Sequence, residues 1–173
     1  SNPIWLVQEG KFAYTLLPEY TDKAKVSCEM KPTDWKKMNP SNKNTDKMSK
    51  EVKILRLWVN HGQTPVNDVY GYAVYTGKGT PQSVLPFEVM RNDIGVQAIR
   101  TKDKSIVQAV FYPGDAVLKY KDLTLSVSAP CAVMIQKLGG KYRISVTDAT
   151  MNADLKSIIV TLNGKTYELS LPT

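Results

Sequence analysis

The chain has 173 residues, 42% of them hydrophobic and 23% charged, with 23 Lys and Arg against 16 Asp and Glu for a net charge of +7. That leaves room for one domain, or two small ones, with a packed core; no apolar run reaches the length of about eighteen residues that a transmembrane helix needs. The basic excess is even, 12 against 8 over the first 80 positions and 11 against 8 over the rest, so it reads as a solvated surface rather than a polyanion strip, and no nucleic-acid motif accompanies it.

Taken in order, Ile4–Gln8 and Lys11–Leu17 read as strands about a turn at Glu9-Gly10, and Pro18–Asp22 reads as a loop. Ala24–Lys31 alternates, with Ala24, Val26, Cys28 and Met30 on one side and Lys25, Ser27, Glu29 and Lys31 on the other, which predicts a strand with one wet face. Pro32–Lys50 is polar and rich in Asn, Lys and Ser; it reads as a long loop with a short helical turn at Thr33–Lys37. Val52–Asn60 and Val69–Tyr75 follow, two period-two runs of β-branched and aromatic residues around Gly62, Pro65 and Asn67, which predicts a hairpin. Thr76–Ser83 gathers Gly, Pro and Ser and marks a boundary, dividing the chain into segments 1–80 and 85–173.

The second segment is a succession of short strands: Pro86–Arg91, Val96–Thr101, Ser105–Tyr112, Leu123–Ser128, Cys131–Lys137, Lys141–Thr147, Ser157–Leu162 and Lys165–Leu171. Gly139-Gly140 and Asn163-Gly164 are two-residue hairpin signals. Strands at this spacing with turn chemistry between them indicate an all-β fold, an antiparallel β-sandwich.

Few residues suggest chemistry. His61 is the sole histidine and has no nucleophile elbow near it, so it reads as a residue that ends a strand and hydrogen-bonds within the turn. Asp148, Asn152 and Asp154 offer oxygen ligands, but a calcium loop wants more carboxylates, and a polar connection is the better reading. Cys28 and Cys131 lie among apolar neighbours and read as two buried free thiols. No metal or cofactor is expected. Trp58, Tyr70 and Tyr72 stand at strand spacing and read as sheet packing. Trp35 lies in a polar loop beside Asp34 and is the one candidate for contact with a sugar.

Several segments, in order, resemble polysaccharide lyase family 8, the lyases of hyaluronan, chondroitin and xanthan. They are Gly10-Lys-Phe-Ala-Tyr14, Asp34-Trp-Lys-Lys-Met-Asn-Pro40, Trp58-Val-Asn-His-Gly62 with Pro65 and Asn67, and Tyr70-Gly-Tyr-Ala-Val-Tyr75. Val96-Gln-Ala-Ile-Arg100, Ala109-Val-Phe-Tyr-Pro-Gly114, Pro130-Cys131 and Ser145-Val-Thr-Asp-Ala-Thr150 continue the series. Two departures stand out: the family's Gly before the Trp35 segment is absent, and its Asp-Pro-Thr appears as Asp148-Ala149-Thr150.

The resemblance implies the end of a large central sheet domain over 1–80 and a small C-terminal β-sandwich over 85–173. It implies a secreted or periplasmic parent that breaks uronate-containing glycans by β-elimination, using Asn, His, Tyr and Arg on an N-terminal helical region. None of those residues carries over to this chain, and His61 does not match the catalytic histidine. Ser1-Asn2 reads as a scar on an excised fragment. The expectation is a non-catalytic C-terminal β-region whose partners are an acidic polysaccharide and the helical catalytic region, with neither nucleic acid nor a membrane span. The rival is a free-standing carbohydrate-binding sandwich that uses Trp35.

Overall fold

The structure is a computed structural model that describes residues 3–8, 12–34, 40–41, 50–77 and 81–172, with the backbone alone at position 50. Its strands are all paired antiparallel. They are β1 Leu6–Gln8, β2 Phe12–Leu16, β3 Ala24–Thr33, β4 Lys50–Val59, β5 Tyr72–Tyr75, β6 Phe87–Asn92 and β7 Val96–Thr101, followed by β8 Ile106–Phe111, β9 Val117–Tyr120, β10 Leu123–Val127, β11 Cys131–Leu138, β12 Lys141–Thr147, β13 Ser157–Leu162 and β14 Lys165–Ser170.

From β6 onward the chain forms a β-sandwich. A five-stranded sheet in the order β12-β11-β8-β7-β6 faces a four-stranded sheet in the order β14-β13-β10-β9. Alternation explains the packing. Every second residue of β7, β8, β10, β11 and β13 points inward, and Val96, Phe111, Leu125, Cys131, Ile158 and Val160 are almost wholly buried in one cluster. Asn163 and Gly164 sit at φ 47° and 81°, and Gly139 and Gly140 at 55° and 82°. These are the left-handed pairs that a tight hairpin between twisted strands demands, so both turn signals act as read. The structure adds β9, which the sequence reading passed over. Four residues long, it buries only Leu118 fully and ends against the turn that leads into β10.

The first half differs more from expectation. Val52–Asn60 and Val69–Tyr75 are not a hairpin. β4 pairs with β3 through ten residue pairs from Ala24↔Val59 to Thr33↔Lys50, while β5 pairs with β2. The predicted strand at 69–75 shortens to Tyr72–Tyr75. Gly62 at φ 80° and Asn67 at φ 51° bend the intervening segment, and the Leu17 amide donates to the Gly71 carbonyl at 2.9 Å, which carries the chain over to the other sheet. A Cβ on Gly71 would run into the Leu17 side chain, so a larger residue there would have to displace it.

The loop expected at Pro18–Asp22 is a 3-10 turn, Pro18–Lys23, started by a proline whose fixed φ suits the first helical position. The long loop expected over Pro32–Lys50 is shorter at both ends, because Pro32 and Thr33 still pair in β3 and Lys50 already pairs in β4. That rules out a helical turn starting at Thr33; positions 35–37 of it lie outside the described residues, as does the Glu9-Gly10 turn.

The wet-face and dry-face division of β3 also fails. Val26, Cys28 and Met30 are exposed, as is Leu55 opposite Cys28 on β4, because among the described residues no layer closes over this part of the sheet's apolar face. Cys28 is therefore not a buried thiol, whereas Cys131 is, at 1% exposure. Burial pushes the Cys131 thiol up to about 11, with the Asp148 charge adding to the effect. Thiol-reactive dye should modify one cysteine per native chain at once and the second only on unfolding, since the thiolate is the reactive form. Stoichiometric labelling followed by peptide mapping checks this; rapid native labelling of Cys131 would contradict the burial.

The two halves meet through one small apolar cluster. Leu16, Leu17 and Tyr20 are buried against Val59 and Val69 on their own side and against Leu85, Phe87 and Val89 at the start of the sandwich. Asn92, at the end of β6, donates to the Tyr20 hydroxyl at 3.0 Å and to the Tyr70 carbonyl at 3.1 Å.

Candidate functional site

The segment between β4 and β5 is where polar and aromatic side chains converge. Asp68 is its hub. Its carboxylate accepts from Lys23 Nζ at 2.7 Å, from His61 Nδ1 at 2.7 Å and from the Val69 amide at 3.0 Å. The Lys23 ammonium first, and then the His61 ring, hold the Asp68 carboxyl down at about 2. An ionised carboxylate only accepts, so Nδ1 carries the proton and Nε2 is the ring nitrogen left over. His61 thus hydrogen-bonds within the turn, as the sequence reading has it, with a partner seven residues on.

Next to this hub stands a row of rings. His61 lies edge-on to Tyr70, with 5.9 Å between centroids, and Tyr70 and Tyr72 are stacked within 7° of parallel at 6.3 Å. Strand spacing reads both tyrosines and Trp58 as packing in the core or on a sheet face. They are instead 53%, 59% and 46% exposed. The reason is the bend at 60–71: Tyr70 lies outside any strand, and Tyr72 and Trp58 sit on strands whose outer faces are bare. Period two gave the alternation correctly but not the presence of a covering layer.

These rings line a cleft of about 570 Å³ between the β1-β2-β5 and β3-β4 sheets, with Leu16, Leu55 and Leu57 among its walls and Lys53 at its edge. Among the described residues no Asp or Glu lines it.

Trp35, the one sugar-contact candidate from the sequence, lies outside the described residues. Asp148 spends its carboxylate on its own loop, accepting from the Thr150 amide and hydroxyl and the Asn152 amide at 2.6–2.8 Å, and these bonds lower its pKa. Among the described residues no group of three His, Cys, Asp or Glu could hold a metal ion, and no helix is long and apolar enough to cross a membrane.

A second charged cluster is structural in character. Arg100, 3% exposed, donates to Glu88 and Asp122, and Glu88 also accepts from Tyr120 and Lys121. A charge at a strand position that alternation marks as inward gives no sign of its partners in the sequence, because these lie 12 and 22 residues away.

Residues 88–157 match the family model for the polysaccharide lyase family 8 C-terminal beta-sandwich domain. The chain is 29% identical over 149 residues to chondroitinase-AC of Pedobacter heparinus, an alignment covering 83% of this chain and 20% of that protein. Among solved structures, a chondroitinase AC lyase studied in enzyme-oligosaccharide complexes superposes with a TM-score of 0.74 at 25% identity, over 97% of this chain and 25% of the other. A Paenibacillus xanthan lyase shares the fold, with a TM-score of 0.69 at 20% identity, over 94% of this chain and 16% of the other. The chain thus spans about a fifth of the length of the chondroitinase it matches. Residues 88–157 thus match the polysaccharide lyase family 8 C-terminal beta-sandwich domain, and the chain as a whole is similar in sequence and fold to a chondroitinase AC.

Proposed function

We propose that this chain is the non-catalytic C-terminal β-region of a lyase that cleaves uronate-containing glycans of the chondroitin or hyaluronan type by β-elimination. In this reading residues 1–80 close the central sheet domain and residues 85–173 form the terminal sandwich. The observation that carries the reading is the contrast between the two. The sandwich buries a continuous core, while β3 and β4 leave Val26, Met30, Val52 and Leu55 bare, which is the surface of an element meant to be covered by more protein. That cover is the helical catalytic region and its adjoining sheet, and the parent works outside the cytoplasm, secreted or periplasmic.

The support for a non-catalytic role is the family resemblance: its catalytic Asn, His, Tyr and Arg belong to the helical region, His61 does not match the catalytic histidine, and no arginine is among the described residues lining the cleft that holds His61. Incubated with chondroitin or hyaluronan, the 173-residue chain should produce no rise in the ultraviolet absorbance of unsaturated uronate. Sustained turnover that scales with protein concentration would sink the proposal. The exposed rings at Trp58, Tyr70 and Tyr72 favour a second role beside the structural one, contact with the glycan.

A further inference from the structure

We infer that one end of the terminal sandwich docks onto the surface of an anionic phospholipid membrane, through the lysines of its β11–β12 and β13–β14 turns with Leu138 and Tyr142 between them.

The basic excess that is even along the sequence is not even in space. Each hairpin sends the chain back on itself, so the β7–β8, β9–β10, β11–β12 and β13–β14 turns all fall at one end of the sandwich. Bonds between them fix this arrangement. The Lys137 amide donates to the Ser105 carbonyl at 2.8 Å, the Asn163 amide donates to the Thr124 carbonyl at 2.9 Å, and Arg100 reaches Asp122. These turns and the residues beside them carry Lys102, Lys104, Lys121, Lys137, Lys141 and Lys165, every one exposed. The opposite end carries Asp93, Asp115, Asp148 and Asp154. At the lysine end, Glu88 is held by Arg100 and Lys121 and Asp122 by Arg100, while Asp103 accepts from the Thr101 and Ser105 hydroxyls. Lys137, Lys141 and Lys165 have no acidic partner among the described residues. Lysines gathered in this way attract anionic headgroups within about a Debye length, roughly 10 Å at 0.1 M salt.

Two features favour a lipid surface over other polyanions. Leu138 is 48% and Tyr142 53% exposed, on either side of Gly139 and Gly140 at the tip of the β11–β12 hairpin. A leucine and a tyrosine among lysines suit the boundary between headgroups and acyl chains, where tyrosine is enriched and lysine stems lie along apolar material with the ammonium in water. A Cβ added at Gly139, Gly140 or Gly164 would meet nothing within 4 Å, so both turn tips stand clear of the rest of the chain and can reach a flat surface. Single-stranded nucleic acid asks instead for a basic groove with rings on which successive bases stack. The two tips also point away from the first half. β6, which meets that half, lies at the opposite edge of its sheet from β12, and its Arg91 donates to the Val117 carbonyl of β9, at the opposite edge from β14.

The test is cosedimentation of the 173-residue chain with vesicles of phosphatidylcholine, either alone or with about one third phosphatidylglycerol. The chain should bind the anionic vesicles and not the neutral ones, and binding should weaken as salt rises from about 0.05 to about 0.5 M. Lys141→Gln with Lys165→Gln should weaken it about tenfold or more, given what each lysine close to such a surface contributes. Lys25→Gln with Lys53→Gln, an equal loss of charge at exposed positions of β3 and β4, should leave it within about twofold. Leu138→Ser should remove the binding that survives at high salt, because apolar contact is not screened. Native protection of Cys131 reports folding in each variant, and Lys141→Gln alone replaces the pair if the pair does not fold. Equal weakening by the two lysine pairs overturns the site, since net charge alone then drives the binding. Failure of the wild type to bind anionic vesicles overturns the proposal, and a shift of single-stranded DNA without vesicle binding overturns the choice of ligand.

Discussion

Arg100→Ala should lower the unfolding free energy by about 3 kcal/mol, the low end of what breaking a buried ion pair costs. Arg100 takes the third inward position of β7, after Val96 and Ala98, where a core side chain would otherwise stand. Its Nε and Nη2 reach one Glu88 oxygen at 3.0 and 2.7 Å, and its Nη1 reaches Asp122 at 2.7 Å. Glu88 lies on β6 of one sheet, and Asp122 in the turn between β9 and β10 of the other, so one guanidinium ties the two layers together at the rim of the core. The ring of Tyr120 lies 5.4 Å from the guanidinium carbon.

Truncation removes three donors at once and leaves Glu88, whose side chain is 20% exposed, with Lys121 and Tyr120 alone. The low end applies because Lys121 remains and Asp122 is open to water. Asp122→Asn should therefore be much milder than Arg100→Ala. Urea unfolding at neutral pH measures both, read as a shift in midpoint at unchanged slope; a small effect of Arg100→Ala would show that water already screens the cluster.

The same cluster sets an acid limit. Lys121 and then Arg100 hold Glu88 down from 4.5 to about 2, and Arg100 holds Asp122 down from 3.8 to about 2. In the unfolded chain both take up protons near their ordinary values, so between those values and about pH 2 the unfolded state binds more protons than the folded one. Stability from these groups is full above about pH 4.5 and drains away as the pH falls towards about 2. Asp68 and Asp103, also held at about 2, act in the same direction. In Arg100→Ala the loss between pH 4.5 and 2 should be shallower, because less of the depression remains to be lost. Midpoints taken every half unit decide it, and an unchanged slope would remove Arg100 as the cause.

Legibility in the sequence follows from how local the cause of each feature is. The strands from β6 to β14, β9 excepted, were readable because their turns carry their own instruction, as Asn163-Gly164 does with both residues at positive φ, and because the strands alternate against a core they make among themselves. β9 escaped because four residues with one buried leucine give too little period to see. The pairing of β4 with β3 rather than β5 escaped because two strands separated by sixteen intervening residues leave no mark of which edge each prefers. The rings at Trp58, Tyr70 and Tyr72 escaped because alternation reveals a face, while only the rest of the protein decides whether that face is covered. His61 was readable as a turn residue, since its partner Asp68 lies on the same bend; the buried Arg100 was not, since both of its carboxylates come from other strands or turns.

Tyr20→Ala should detach the first half from the sandwich without unfolding the sandwich, at a cost of about 3 kcal/mol for removing a buried aromatic ring. Tyr20 is 9% exposed at the centre of the cluster in which Leu16 and Leu17 meet Leu85, Phe87 and Val89. Its hydroxyl accepts the Asn92 amide, and its ring edge lies beside Gly71, which has no side chain of its own to fill the space. The neighbouring cover is thin, so collapse into the hole would pull Val69 or Phe87 out of contact. The sandwich has its own cluster, in which Tyr20 takes no part, and should keep its melting transition. Limited proteolysis should then cut the variant ahead of β6 and leave a resistant fragment beginning near Leu85, while the parent chain resists at the same protease concentration. Tyr20→Phe, which keeps the ring and gives up only the Asn92 bond, should cost about 1 kcal/mol and stay resistant. If Tyr20→Ala instead melts the sandwich in step with the first half, the two halves form one cooperative unit, and a boundary ahead of residue 85 has no energetic meaning.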